Sequence, residues 1–436
     1  METDTSWLSS LYRSYLAHPC VCTDHRKLAP GEGFVALKGS RVDGNTFVGE
    51  ALRLGAAWVL CENQEFADHP KVWTCSDAVL ALQQLASRHR QNFKGKVLCV
   101  AGSNGKTTTK ELLYACFSEA FRTECTQGNF NNHLGVPLSL LSFSTDTEWY
   151  LVEIGANHEG ETAFLADLAK PDVGLVTNNG KDHLEGFGDE AGVRKANAEL
   201  YAWLANHGGI ALVPDFHADL MEDIAHQARW VYGWESSSDL QGKALEQGHR
   251  PGLQLQGWEE PVWSQLAGTF NAENMMHAAA AAVWAGASMD AVRKGLEQYK
   301  PALMRSQWIA SQGWKILLDA YNANPSSMEK AVDSFLQHAS APYGFLLADM
   351  LELGSFSEEE HRRIAEKLSK SGAEKMVFIG AEWEKCREVL PEALYFSTTQ
   401  EAIEKLNPEA LRPLEWLVKG SRGFALEKLL KAWGVF

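Results

Sequence analysis

The run that most constrains this chain is Val97–Val100 followed by Ala101-Gly102-Ser103-Asn104-Gly105-Lys106-Thr107-Thr108-Thr109-Lys110. Four apolar residues predict a short buried strand, and two glycines three apart predict a tight turn. From Thr107 onward Leu113, Cys116, Phe117 and Ala120 recur at i, i+3, i+4, i+7, which predicts a helix over Thr107–Phe121. A strand entering a glycine-rich turn at a helix start is a phosphate cradle. Glycines let backbone amides approach the phosphate oxygens, and the helix N-terminus adds its positive end. Lys106 is then placed to reach β/γ-phosphates and Thr107 to put its hydroxyl on magnesium. The full eight-residue loop pattern wants glycine at position 100, where valine stands. The bland alternative is an ordinary strand–turn–helix joint carrying an exposed lysine.

The remainder of the chain repeats this grammar. Tyr150–Ile154, Val173–Val176, Ile210–Val213, Ile316–Leu318, Phe345–Leu347, Met376–Ile379 and Trp416–Val418 read as short buried strands with helix-period segments between them. Such alternation predicts an α/β protein built on doubly wound, mostly parallel sheets. A length of 436 residues suits about three domains. We place them at 1–92, 93–305 and 306–436, the middle one carrying the phosphate loop and the last Rossmann-like.

Composition removes several classes of function. The formal net charge is −16 and no basic run occurs, which argues against general nucleic-acid binding. No stretch approaches the roughly 20 apolar residues of a membrane span. The opening Met1-Glu2-Thr3-Asp4 is acidic, unlike a secretory leader, so a cytoplasmic protein is expected. Eight cysteines without a C-x-x-C pair predict free, buried or half-buried thiols and not a zinc site.

In open α/β sheets ligands bind beyond the carboxyl ends of the strands. Five predicted strands end on or near a polar group: Glu153, His183, Asp319, Asp349 and Lys419. Singly, a histidine is more often structural, and a loop aspartate usually caps a helix. Together they predict a site between two domains, with Glu153 a candidate for magnesium.

With these residues in view the chain resembles the Mur ligases of peptidoglycan synthesis. The likeness runs over nearly the whole length. It is carried by Thr23-Asp24-His25-Arg26 with Phe34 through Gly39, by the phosphate loop, and by Asn131-Asn132-His133-Leu134-Gly135-Val136-Pro137. It continues in Glu153-Ile154-Gly155-Ala156-Asn157, His183 through Gly188, and Gly268 through Asn274. The last third adds Asp319-Ala320-Tyr321-Asn322-Ala323-Asn324-Pro325, Asp349 through Gly354, and Lys419 through Gly423.

The resemblance implies an ATP- and Mg2+-dependent ligase that joins D-alanyl-D-alanine to UDP-N-acetylmuramoyl-tripeptide through an acyl phosphate. The Asn131-Asn132-His133 and Tyr321–Pro325 strings favour that branch of the family. It implies that the first domain holds the UDP-sugar, the second ATP, and the third the dipeptide. It assigns Lys106, Glu153 and His183 to catalysis and Thr107, Glu153 and His183 to the metal. The nucleotide falls to Gly102, Ser103, Asn104, Gly105, Lys106, Thr107, Thr108, Asn271, Asn274, Arg305 and Asp319. Substrates fall to Thr23, Asp24, Arg26, Lys38, Asn131, Asn132, His133, Asn157, Tyr321, Asn322 and Asn324. The implied partners are small molecules, with a monomer favoured and neither nucleic acid nor membrane involved.

Four positions depart from the family pattern. His25 stands where serine is frequent, Phe270 where histidine or tyrosine is usual, and Pro214 where asparagine often follows the strand. Asn197 aligns with a lysine that many members carbamylate to hold a second magnesium, and Lys195 lies two residues earlier. Two other readings compete: a related amide ligase of folylpolyglutamate or cyanophycin type, and a nucleotide-binding regulator without turnover.

Overall fold

A computed structural model of the chain describes residues 6–40, 42–224, 228–301 and 304–436. The acidic residues 1–5, on which the reading of the N-terminus leaned, lie outside the described residues.

The strand–helix alternation resolves into three sheets. The first is parallel and four-stranded, in spatial order Val21–Cys22, Gly33–Val35, Trp58–Cys61, Val72–Thr74. The central sheet has nine strands. Its parallel heart runs Ile210–Pro214, Val173–Val176, Lys96–Ala101, Trp149–Glu153, Thr123–Cys125. Arg229–Gly233 and Leu240–Gln247 extend it in parallel, and Arg250–Leu255 and Val262–Trp263 close it antiparallel. The third sheet runs Gln307–Ser311, Trp314–Asp319, Glu415–Lys419, Tyr343–Ala348, Lys375–Ile379, Leu394–Phe396, and only its first pair is antiparallel. The fold is therefore the doubly wound, mostly parallel α/β class that the pattern predicted.

All eight predicted strands are present, several a residue or two longer than the apolar run. The strands that patterning missed are short or amphipathic edges such as Leu240–Gln247, whose outer residues Lys243, Ala244, Glu246 and Gln247 are exposed. The helix after the phosphate loop is Lys106–Ser118, so Ala120 lies beyond its end.

Packing explains why the loop is held rigidly. The helix Asn271–Trp284 buries Ala278 through Ala282 completely and lies against Lys106–Ser118. A run of alanines combines high helix propensity with close axial approach. It brings Asn271 and Asn274, on that helix's first turn, up to the loop. At the other side, the helix Ala78–Arg90 packs on Gly135–Ser142. One apolar cluster thus runs from Leu11, Trp58 and Leu82 of the first unit to Val97, Val136 and Val152 of the second. The third sheet carries a cluster on each face, one of which takes in Leu184, Val193 and Ala267 from the middle of the chain. Among the described residues no helix is long and apolar enough to cross a membrane.

All eight cysteines are free; Cys20 alone is exposed, which departs from the expected burial.

Candidate active site

The carboxyl ends of the central and third sheets face one another across a cleft of about 420 Å³. That volume lies within the range of small-molecule sites. The phosphate loop forms its floor. Gly102 and Gly105 have φ of +118° and +82°, and a Cβ on Gly105 would lie 2.3 Å from Asn274 Oδ1. Only glycine fits both the left-handed backbone and the approach. Asn274 Oδ1 also accepts from Thr109 Oγ1 at 3.1 Å, its Nδ2 donates to Asn271 Oδ1 at 2.7 Å, and Asn271 Nδ2 donates to Ala267 O at 2.8 Å. The far side of the loop is tied down by the turn after Val173–Val176. Ser103 N donates to Asn178 O at 2.9 Å, Asn104 N to Asn178 Oδ1 at 3.1 Å, and Thr177 Oγ1 to Asn104 O at 2.7 Å. The amides of Lys106, Thr107 and Thr108 open the helix and have no helical acceptor. Lys106 folds back, its Nζ donating to Gly102 O and, at 3.1 Å, to Ser103 O.

Glu153 ends its strand 1% exposed. Its Oε1 accepts from Thr107 Oγ1 at 2.9 Å and from Asn131 Nδ2 at 2.7 Å. Its Oε2 is buried with no partner among the described residues. A buried carboxylate oxygen left unpaired is costly unless a cation neutralises it. With the Thr107 hydroxyl beside it, this is a hard-oxygen donor pair that fits magnesium. No three Asp, Glu, His or Cys groups converge among the described residues, so phosphate and water oxygens would have to complete such an ion. His183 also lines the cleft, its Nδ1 2.8 Å from Glu352 Oε2.

The third sheet supplies the opposite wall. Lys419, 1% exposed, pairs with Asp319 Oδ2 and donates to Asn322 O at 3.2 Å. Asp319 Oδ1 accepts from Ser306 N at 3.1 Å, which fixes the segment carrying Arg305. The Arg305 guanidinium stacks 3.6 Å above the Tyr321 ring. Asn324 caps the helix Pro325–His338 and reaches across the cleft, its Nδ2 donating to Asn104 Oδ1 at 2.8 Å.

The cleft thus gathers Ser103 through Thr108, Asn131, Asn132, Glu153, Asn157, His183, Asn271, Asn274, Arg305, Asp319, Tyr321, Asn322 and Asn324. Asp349 is a correction. It sits outside the cleft, its carboxylate accepting from Glu382 N and Trp383 N at 3.1 Å each, so it caps a helix, as a lone loop aspartate usually does. Gly102 lies behind the floor. Thr23, Asp24, Arg26 and Lys38 lie in the first unit, away from the cleft. There Asp24 caps the turn His25–Lys27 and pairs with Arg26 at 2.8 Å, while the backbone of Lys38 forms an isolated antiparallel β-bridge with Asp43. His25 stacks on Phe47 with ring centroids 3.7 Å apart. His133 is exposed, its carbonyl accepting from Gln83.

Lys195 points outward to Glu159 at 2.5 Å, whereas Asn197 is buried and donates to Asn179 Oδ1 at 2.8 Å and Ser103 Oγ at 3.3 Å. Asn197 is therefore the residue that touches the loop. Sequence reasoning gave no role to Glu273, Lys330 or Lys110. The first two pair across the cleft at 3.0 Å. Lys110 is fully buried, its Nζ donating to Thr126 O at 2.6 Å and anchoring the segment that leads to Asn131. Nothing local marks the Glu273–Lys330 pair, since it forms only when two helices from different sheets meet. For Lys110 the available signal was its helical position, on the face turned to the sheet.

The family models for the Mur ligase catalytic domain, the Mur ligase middle domain and the Mur ligase glutamate ligase domain match residues 20–94, 100–282 and 304–422. UDP-N-acetylmuramoyl-tripeptide--D-alanyl-D-alanine ligase of Bacillus subtilis is 32% identical over 424 residues, 94% of this chain and 92% of that protein. Its Escherichia coli counterpart is 33% identical over 421 residues, 94% and 93% of the two chains. A crystal structure of MurF from Acinetobacter baumannii superposes with a TM-score of 0.84 at 31% identity, covering 95% of this chain and 92% of that one.

Proposed function

The chain belongs to the Mur ligase family, and on that premise we propose that it joins D-alanyl-D-alanine to UDP-N-acetylmuramoyl-tripeptide at the expense of ATP, a step of peptidoglycan precursor synthesis. The observation that carries this reading is the unpaired Glu153 Oε2 beside Thr107 at the mouth of the phosphate loop, roofed by a second sheet. A plain nucleotide switch has no need of that second wall.

ATP supplies the phosphoryl group that converts the tripeptide carboxylate into an acyl phosphate, and magnesium, when bound, would supply positive charge against the triphosphate. The protein's share is positioning. The amides at Lys106, Thr107 and Thr108 receive phosphate oxygens. Lys106 exchanges its loop carbonyls for phosphate and neutralises developing charge. Thr107, Glu153 and His183 would hold magnesium. Asn271 and Asn274 line the adenine site, with Arg305 and Asp319 completing the nucleotide contacts. Thr23, Asp24, Arg26 and Lys38 in 1–92 take the UDP-sugar, while Asn131, Asn132, His133 and Asn157 take the remainder of that substrate. Residues 306–436 present the dipeptide through Tyr321, Asn322 and Asn324. An α-amine titrates near 8, so a useful fraction is neutral at cellular pH and no strong base is required. The roof keeps water from the activated carboxylate.

Phosphate release with each substrate omitted in turn tests the reading. Turnover requires ATP, the UDP-tripeptide and D-alanyl-D-alanine together; release with ATP alone, or with glutamate as acceptor, overturns it. Lys106→Ala lowers kcat by at least about 100-fold while the thermal midpoint stays unchanged.

A further inference from the structure

Three residues without glycine's freedom hold left-handed backbone at the cleft, His183, Ser306 and Glu352, and the first and last of them touch. His183 has φ 47° and ψ 38°, and Glu352 has φ 64°. A side-chain-bearing residue keeps such a conformation only where its surroundings hold it there, and such residues cluster at functional sites. Here the surroundings are mutual. His183 Nδ1 lies 2.8 Å from Glu352 Oε2, and Glu185 N donates to Glu352 O at 3.3 Å. The two strained residues come from different sheets, His183 after Val173–Val176 and Glu352 after Tyr343–Ala348.

The contact defines the chemistry of the ring. A carboxylate 2.8 Å from Nδ1 favours the tautomer with its proton on Nδ1, which leaves a lone pair on Nε2. No hydrogen bond occupies Nε2 among the described residues, and His183 lines the same cleft as Glu153 and Thr107.

We propose that Glu352 is a positioning residue: its carboxylate orients the His183 imidazole toward a divalent cation in the cleft. This rests on the cation reading given under Proposed function.

The test uses the full-length enzyme with ADP and Mn2+ as a paramagnetic probe. Manganese affinity comes from titration, and imidazole nitrogen coupling to the bound ion from pulsed electron paramagnetic resonance. Wild type shows the coupling. Glu352→Ala weakens manganese binding about tenfold or more and loses or shifts the coupling, whereas Glu352→Gln, which still accepts a hydrogen bond, falls between. Lys181→Met is the control. It removes a different contact between the same two units, Lys181 Nζ to Glu360 Oε1 at 2.6 Å, without touching the imidazole, and leaves affinity and coupling at wild-type values. The proposal is overturned if Glu352→Ala keeps wild-type affinity and coupling, or if Lys181→Met weakens manganese binding equally. Absence of imidazole coupling in wild type would instead remove His183 from the metal and take the proposal with it, so the two failures are told apart.

Discussion

At the scale of single residues, the site is organised around groups left unsatisfied. Glu153 shows this most clearly: one oxygen is fully engaged by Thr107 and Asn131, and the other is buried without a partner. A buried charge without its counter-ion lowers stability, so function and stability pull in opposite directions here. Glu153→Gln is therefore expected to leave the protein as stable as wild type, or more stable by about 1 kcal/mol, in urea unfolding with EDTA present. The same variant loses at least about 100-fold in kcat. A loss of stability in EDTA would mean that the carboxylate is held by contacts and not kept for a cation.

At the scale of elements, two helices from different sheets meet at the cleft, and each can be loosened separately. Asn324 performs two tasks with one side chain, capping Pro325–His338 through Ser327 N at 2.8 Å and bonding Asn104 Oδ1 across the gap. Asn324→Ala removes both, costing about 1 kcal/mol together with activity. Asn324→Ser keeps a good cap while losing the bridge, so its thermal midpoint stays near wild type as its kcat/KM falls. The second joint is Glu273 on Asn271–Trp284, facing Lys330 at 3.0 Å and His217 at 3.7 Å. Burial alone would raise the Glu273 carboxyl, but the His217 and Lys330 contacts outweigh it and hold it at about 2. A depressed carboxyl stabilises the fold above its unfolded value near 4.5, and that contribution disappears as pH falls toward 2. Acid titration followed by tryptophan fluorescence should show a loss on the order of 2–3 kcal/mol over that window. Glu273→Gln should flatten it.

At the scale of the whole molecule, the third sheet is held over the central one by both apolar and ionic contacts. Lys181–Glu360, Lys330–Glu273 and His183–Glu352 span the joint, and Leu184 and Val193 pack into the third sheet's core. Ionic contacts of part-exposed groups are screened by salt, whereas apolar burial is not. Small-angle scattering should accordingly report a larger radius of gyration at about 1 M NaCl than at about 0.05 M, reversed by ATP plus UDP-tripeptide. A radius independent of salt and ligand would mean a rigid joint.

The sequence by itself determined the local units. Buried parallel strands read as apolar runs because both faces are covered, and a glycine-rich turn before a helix has few physical uses. The phosphate loop, the eight strands and Glu153 at a strand end were all legible for that reason. Short edge strands were not, because half-exposed residues carry no distinct pattern. Only the tertiary structure decided which strand-end groups meet. Asp349 and Asp319 look alike in the sequence, yet one caps a helix and the other faces the cleft beside Lys419. The Glu273–Lys330 and His183–Glu352 pairs join residues far apart in the chain. Such pairs are fixed by how two sheets dock, which is a sum over many packing contacts and is written in no single segment.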